Sequence, residues 1–172
     1  MTEATVLTAR KAFPTEEIVV ATDYTEWELF PAIRGTNQMD GVKIANRPPE
    51  ICRDDTTSEV VVKWILAQRP SEEAFVLLQP TSPRREPKTL SKARKTFDEG
   101  QLTSLVSVNP AYQPNGNFYF CNSRAFDHHG SWWSYATSIW VQSWEESVDV
   151  NYVYDLAVAE ALRWNRVYRE VS

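Results

Sequence analysis

Apolar and polar positions along this chain repeat with two periods, and the switches between them predict its elements. Residues 2–13 place Ala4, Val6, Leu7, Ala9 and Phe13 at helical spacing. Residues 17–21 read as a buried strand. Thr25 caps a helix running to about Arg34, with Pro31 kinking it or marking its early end and Gly35 stopping it. Residues 41–45 form a short strand. Arg53, Asp54, Asp55 and Thr56 make a polar loop and helix start, after which 57–68 are an amphipathic helix carrying Val60, Val61, Trp64, Ile65 and Ala67. A strand over 74–78 ends abruptly in Gln79-Pro80-Thr81-Ser82-Pro83. Pro87 opens a helix over 88–99 and Gly100 closes it. Strands follow at 102–108 and 117–121, and Gly130 ends a short helix over 123–129. Residues 137–142 alternate as a strand does, and 152–169 are helical, with Leu156, Ala159, Leu162, Trp164 and Val167 on the apolar side. Strands alternating with helices predict an α/β fold, a mostly parallel sheet covered on both faces in three layers.

Composition narrows the picture without changing it. A length of 172 residues suits one domain, and 42% hydrophobic with 24% charged residues is ordinary for a globular chain. No apolar run reaches the length of a membrane span, and "MTEATVLTARKAF" lacks a leader's apolar stretch. A net charge of -5 gives no general attraction to nucleic acid. Cys52 and Cys121, without CxxC spacing, read as reduced and buried, which fits a cytoplasmic compartment. His128 and His129 are adjacent, so a helix does not turn both toward one metal, and no Ser-His-Asp or Cys-His arrangement is recognisable. Tryptophan is abundant, with 7 in all, and Trp132, Trp133, Trp140 and Trp144 crowd one segment. There are only 5 glycines and none precedes Gly35.

A series of segments, in order, resembles the acylneuraminate cytidylyltransferases, which make CMP-activated sialic acids from CTP. "EEIVVATD", "NRPPEICRDDTT", "FVLLQPTSPRRE", "TSLVSV", "NGNFYF" and "SVDVNYVYDLAVAEAL" match that family's segments across nearly the whole chain. The resemblance implies a nucleotide-diphospho-sugar-transferase-like, Rossmann-like sheet. It implies that Gln79, Pro80, Thr81 and Ser82, with Arg47, Asp55 and Asn115, stand where a pyrimidine nucleotide is held. It places Asp149 and Asn151 where two aspartates hold Mg²⁺.

Three departures bear on activity. The family's first strand and its Gly-, Arg- and Lys-rich triphosphate loop have no counterpart here; Arg10 and Lys11 fall inside a helical pattern instead. At the metal, Asn151 replaces an acidic ligand and one negative charge is lost. Between "SLVSV" and "NG" only residues 109–114 remain, where the family has a long excursion over the sugar. Loss of a central strand leaves either a gap between its neighbours, open to a strand from another chain, or a direct closure of the two.

These features predict a non-catalytic cytidylyltransferase-like structural or interaction module with no cofactor. Its expected partners are another protein or a second copy. Phage virion proteins are included, because truncated chains of this kind are encoded in bacteriophage genomes. Trp132, Trp133, Tyr135, Trp140 and Trp144 are candidate interface residues, against the alternative of a local core. Arg84 and Arg85 head a basic cluster with Lys88, Lys92, Arg94 and Lys95, read either as a solvated helix face or as a seat for an acidic partner. One alternative is an active enzyme that transfers CMP from CTP to an acidic sugar with Mg²⁺. The other is a CTP- or CMP-binding sensor.

Overall fold

A computed structural model describes residues 1–24, 28, 30 and 39–171, the side chains of 163–171 excepted. The helix expected from Thr25 to about Arg34, with Pro31 and Gly35, lies outside the described residues. The rest of the element order matches the reading of the sequence. It runs α1 (Thr2–Ala12), β1 (Ile18–Thr22), β2 (Val42–Asn46), α2 (Ser58–Ala67), β3 (Ala74–Leu77), α3 (Pro87–Glu99), β4 (Ser104–Val108), β5 (Pro114–Asn122), α4 (Ser123–His129), β6 (Thr137–Val141) and α5 (Val153–Val171). No helix among the described residues is long and apolar enough to cross a membrane.

The expectation of one mostly parallel sheet is corrected. Among the described residues two sheets form: β1 pairs in parallel with β2, and a separate four-stranded sheet has the order β3-β5-β4-β6. β5 is antiparallel to both of its neighbours, while β4 and β6 are parallel. The cause is the short connection after β4. A parallel crossover needs a dozen residues or more, whereas a hairpin needs only a turn. Asn109 makes that turn: its N–H donates to the Gln113 carbonyl at 2.9 Å, and its Oδ1 accepts from the N–H groups of Ala111 at 2.9 Å and Gln113 at 3.0 Å.

The four-stranded sheet has a core on each face, divided by strand alternation. Leu105, Phe118 and Phe120 pack with Phe13 of the α1 end and with Leu90, Ala93 and Phe97 of α3. Val106, Val108, Tyr119 and Cys121 pack on the other face with Val62 of α2, Phe126 of α4 and Trp132. A third cluster joins Val6 and Leu7 of α1 to Ile18, Val20, Val42 and Ile44 of the small sheet. α1 therefore bridges the two sheets. The ends of α4 are encoded locally: the Asn122 side chain accepts from the N–H groups of Arg124 and Ala125, and Gly130 takes the left-handed conformation that stops the helix.

Among the described residues β1 and β3 do not pair with each other; each has an unpaired edge, and a cavity lined by both lies between them.

Candidate functional site

The loop after β3 is built around one buried cation. Arg85 is 5% exposed. Its Nε donates to the Asn117 carbonyl at 2.6 Å, its Nη2 to the carbonyls of Gln79 at 2.8 Å and Gly116 at 3.2 Å, and its Nη1 to Thr5 Oγ1 at 3.3 Å. One side chain thus ties the loop to β5 and to α1. Burial pulls the guanidinium down to about 10, and the nearby charge of Asp149 opposes that shift. Arg85 is therefore corrected from an interface residue to an internal clamp. The sequence shows a run of cations on a helix and gives no sign that distant carbonyls await one of them. Elsewhere in the cluster, Arg94 pairs with Asp98 at 2.5 Å and with Glu16 at 3.3 Å, and Lys95 pairs with Glu99 at 3.6 Å. Arg84 is half-buried, with its Nε enclosed and unpartnered.

The other loop residues are drawn into the same network. Ser82 is fully buried and donates to the Asn115 carbonyl at 2.9 Å. The Asn115 carboxamide, also buried, donates to Gln142 Oε1 at 2.7 Å and Ser147 Oγ at 3.0 Å, and accepts from Ser107 Oγ at 2.6 Å. The Thr81 carbonyl accepts from the Val150 N–H at 2.8 Å, which fastens the closing segment to the loop. Gly116 has φ +70°, and a Cβ there would run into Gln79 Oε1 and Ser82 Oγ. The side chains of Ser82 and Asn115 are thus spent on the chain's own groups.

The remaining predicted nucleotide residues lie nearer the surface. Gln79 Nε2 reaches Ser58 Oγ at 3.4 Å, and Pro80 is exposed. Arg47 pairs with Asp23 at 2.9 Å, holding that carboxyl below its ordinary value, while Asp55 pairs with Arg53 in an exposed bridge, also at 2.9 Å. Arg47 and Asp55 are therefore not each other's partners. Arg47, Gln79 and Pro80, with Thr56 and Ser58, all line the cavity between β1 and β3. Thr56 and Ser58 were missed as neighbours of the loop; Ser58 opens α2 after the polar "RDDTT" run.

The pair implied as a magnesium site does not suit that ion. Asp149 Oδ2 accepts from the Asn151 amide Nδ2 at 3.0 Å, so the amide presents a donor to the carboxylate. Asp149 Oδ1 is enclosed and without a hydrogen-bond partner, and the charge beside it is that of Arg85. Magnesium asks for six oxygens, mostly from carboxylates, phosphates and water. Among the described residues no group of three or more His, Cys, Asp or Glu side chains is arranged to hold a metal ion.

The aromatic segment divides. Trp132 is buried, with its ring 4.8 Å from Tyr119 and 6.0 Å from Phe126, so it is core and is corrected from the interface set. Trp140 is half-buried, 6.3 Å from Phe118. Trp133, Tyr135 and Trp144 are exposed, as are Ile139 and Val141 on the outer face of β6.

No family model matches the chain. It is distantly similar to the N-acylneuraminate cytidylyltransferases of three Streptococcus agalactiae strains. Identity is 25% with the serotype V protein and 24% with those of serotypes III and Ia, in each case over 81% of this chain and 40% of the relative. The chain thus spans about 40% of the length of the curated relatives it matches. In structure it resembles Rv0371c from Mycobacterium tuberculosis H37Rv, with a TM-score of 0.59 and 17% identity, covering 91% of this chain and 80% of that one.

Proposed function

We propose that this chain is a cytidylyltransferase-like module that does not transfer a nucleotide by itself and acts by binding another protein. The observation that carries the reading is the inward turn of the loop. Ser82, Asn115 and Arg85 satisfy the chain's own groups, and the charge of Asp149 is met by Arg85 and Asn151. Nucleotidyl transfer needs the triphosphate's charge neutralised and its reacting phosphorus held in line. The described residues offer neither a carboxylate pair for magnesium nor a glycine loop of backbone donors. Exposed Trp133, Tyr135 and Trp144 support the binding role, because aromatic side chains concentrate at protein interfaces.

The test is incubation of the purified chain with CTP, Mg²⁺ and a nine-carbon acidic sugar, with pyrophosphate as the readout. No release above the protein-free control is expected. Sustained release from the chain alone would overturn the proposal.

A second reading draws on the similarity over 81% of the chain to N-acylneuraminate cytidylyltransferases. Arg47, Gln79, Pro80 and Thr81 would hold CTP or CMP without turnover. Calorimetry with each nucleotide separates the two readings, since sub-millimolar binding without pyrophosphate release favours the sensor.

A further inference from the structure

Two strand edges face each other across open space. Among the described residues β1 is hydrogen-bonded to β2 only and β3 to β5 only. Between them lies a cavity of about 880 Å³. Consecutive residues of both strands line it, from Ile18 to Ala21 and from Ala74 to Leu78. Successive strand residues point to opposite faces. Only a cavity lying in the plane of the strands, along their edges, touches them all. α1 closes one side of this slot and α2 the other. The strands point the same way: Glu17, just before β1, pairs at 3.0 Å with Arg69, five residues ahead of β3. The amino ends of both strands therefore share one end of the slot, where Glu16, Glu17, Glu72 and Glu73 line it; Arg94 pairs with Glu16 and Arg69 with Glu17, so the excess negative charge there is that of Glu72 and Glu73.

We propose that the slot receives an extended segment of another polypeptide as an intervening parallel strand. The segment would carry one or two basic residues followed by about five uncharged apolar residues, the length of β1. Three features specify this occupant. Two facing rows of backbone N–H and C=O groups call for a third backbone that donates and accepts on both sides, which a compact small molecule does not offer. A strand enclosed between helices on both faces is apolar at every position. The net negative charge that Glu72 and Glu73 leave at that end favours a base at the segment's amino end, where its neighbours begin. The inference rests on the module reading only for the source of the strand, a different polypeptide. The slot itself does not depend on whether a nucleotide is turned over.

The test is amide hydrogen exchange on the full chain, read by mass spectrometry, with the capped peptide Lys-Lys-Val-Ile-Val-Ala-Ile. Saturating peptide is expected to slow exchange across both 18–22 and 74–78 by about tenfold or more. A peptide with proline in place of its central valine is expected to protect neither strand, and one beginning Glu-Glu is expected to bind more weakly. Several results would overturn the proposal: no slowing at millimolar peptide, slowing on one strand only, or equal protection by the proline peptide. So would protection of both edges in the chain by itself. Protection at every protein concentration would mean that the edges have closed on each other, and protection only at high concentration would put a second copy in the slot. Protection by the peptide together with pyrophosphate release from CTP would uphold the slot and overturn the non-catalytic reading.

Discussion

Arg85 shows how one side chain sets the character of the site. Its guanidinium answers three main-chain carbonyls and the hydroxyl of Thr5, and it faces the charge of Asp149. Replacing it would take a charged donor from all three carbonyls, of which those of Gln79 and Gly116 would keep only the N–H groups of Ser82 and Gln79, and would remove a positive charge near Asp149. Arg85→Met is expected to lower the free energy of unfolding by about 3 kcal/mol or more in a denaturant titration. Arg85→Lys should recover little of it, because an ammonium lacks the planar fork that serves several acceptors at once. Gly116 is the second sensitive position. Alanine there meets both a left-handed backbone and the side chains of Gln79 and Ser82, so Gly116→Ala is expected to cost about 2–4 kcal/mol in the same measurement. Cys121 gives a titration test. Burial pushes its thiol from 9.0 up to about 12. A thiol whose folded value is raised adds stability that is complete below its unfolded value and is lost as pH climbs toward the folded one. At pH 8 Cys121 should therefore resist a disulfide reagent until denaturant is added, and a native thiol count of two would contradict this.

At the scale of elements, local chemistry and distant pairing part company. The start of α3 at Pro87 and the stop of α4 at Gly130 were legible because proline and glycine act within a turn of where they stand. The strands were legible as apolar runs. Their pairing was misread, although the six residues from 109 to 114 are too few for a parallel crossover and already implied a hairpin. In the site, the loop 79–83 was visible as a strand ending in prolines, but the inward direction of Ser82, Asn115 and Arg85 was not. Most of their partners come from residues about 30 positions away or more, as in the bond from Ser82 to Asn115, although Gln79 and Ser107 lie nearer in the chain. The tryptophans illustrate the same limit. Trp132 and Trp144 look alike in the sequence, yet one is 4% and the other 62% exposed. Trp132→Ala is expected to cost about 3–5 kcal/mol, and Trp144→Ala to change stability by less than about 0.5 kcal/mol. If Trp144 serves a partner, its loss will show in binding and leave the unfolding midpoint in place.

Across the whole molecule, stability is distributed unevenly. β4 is buried at every residue and β5 along most of its length, whereas β1 and β2 are mostly half-buried. A sheet of two strands is marginal alone. Here it is held by α1, which places Val6 and Leu7 on the small sheet while Phe13, just past its end, enters the core of the large one, 6.2 Å from Phe120. The open slot removes the other connection that a continuous sheet would provide, a ladder of hydrogen bonds from β1 to β3. The small sheet should then open without unfolding the rest. Native-state hydrogen exchange across a denaturant series is expected to show β4 and β5 exchanging only through global unfolding. β1 and β2 should exchange through a partial opening at least tenfold more populated. A strand seated in the slot would tie the two sheets together and move the β1 and β2 amides toward the global value. If all strands exchange at one free energy in the chain alone, the two sheets already unfold as a single unit and the slot is closed in solution.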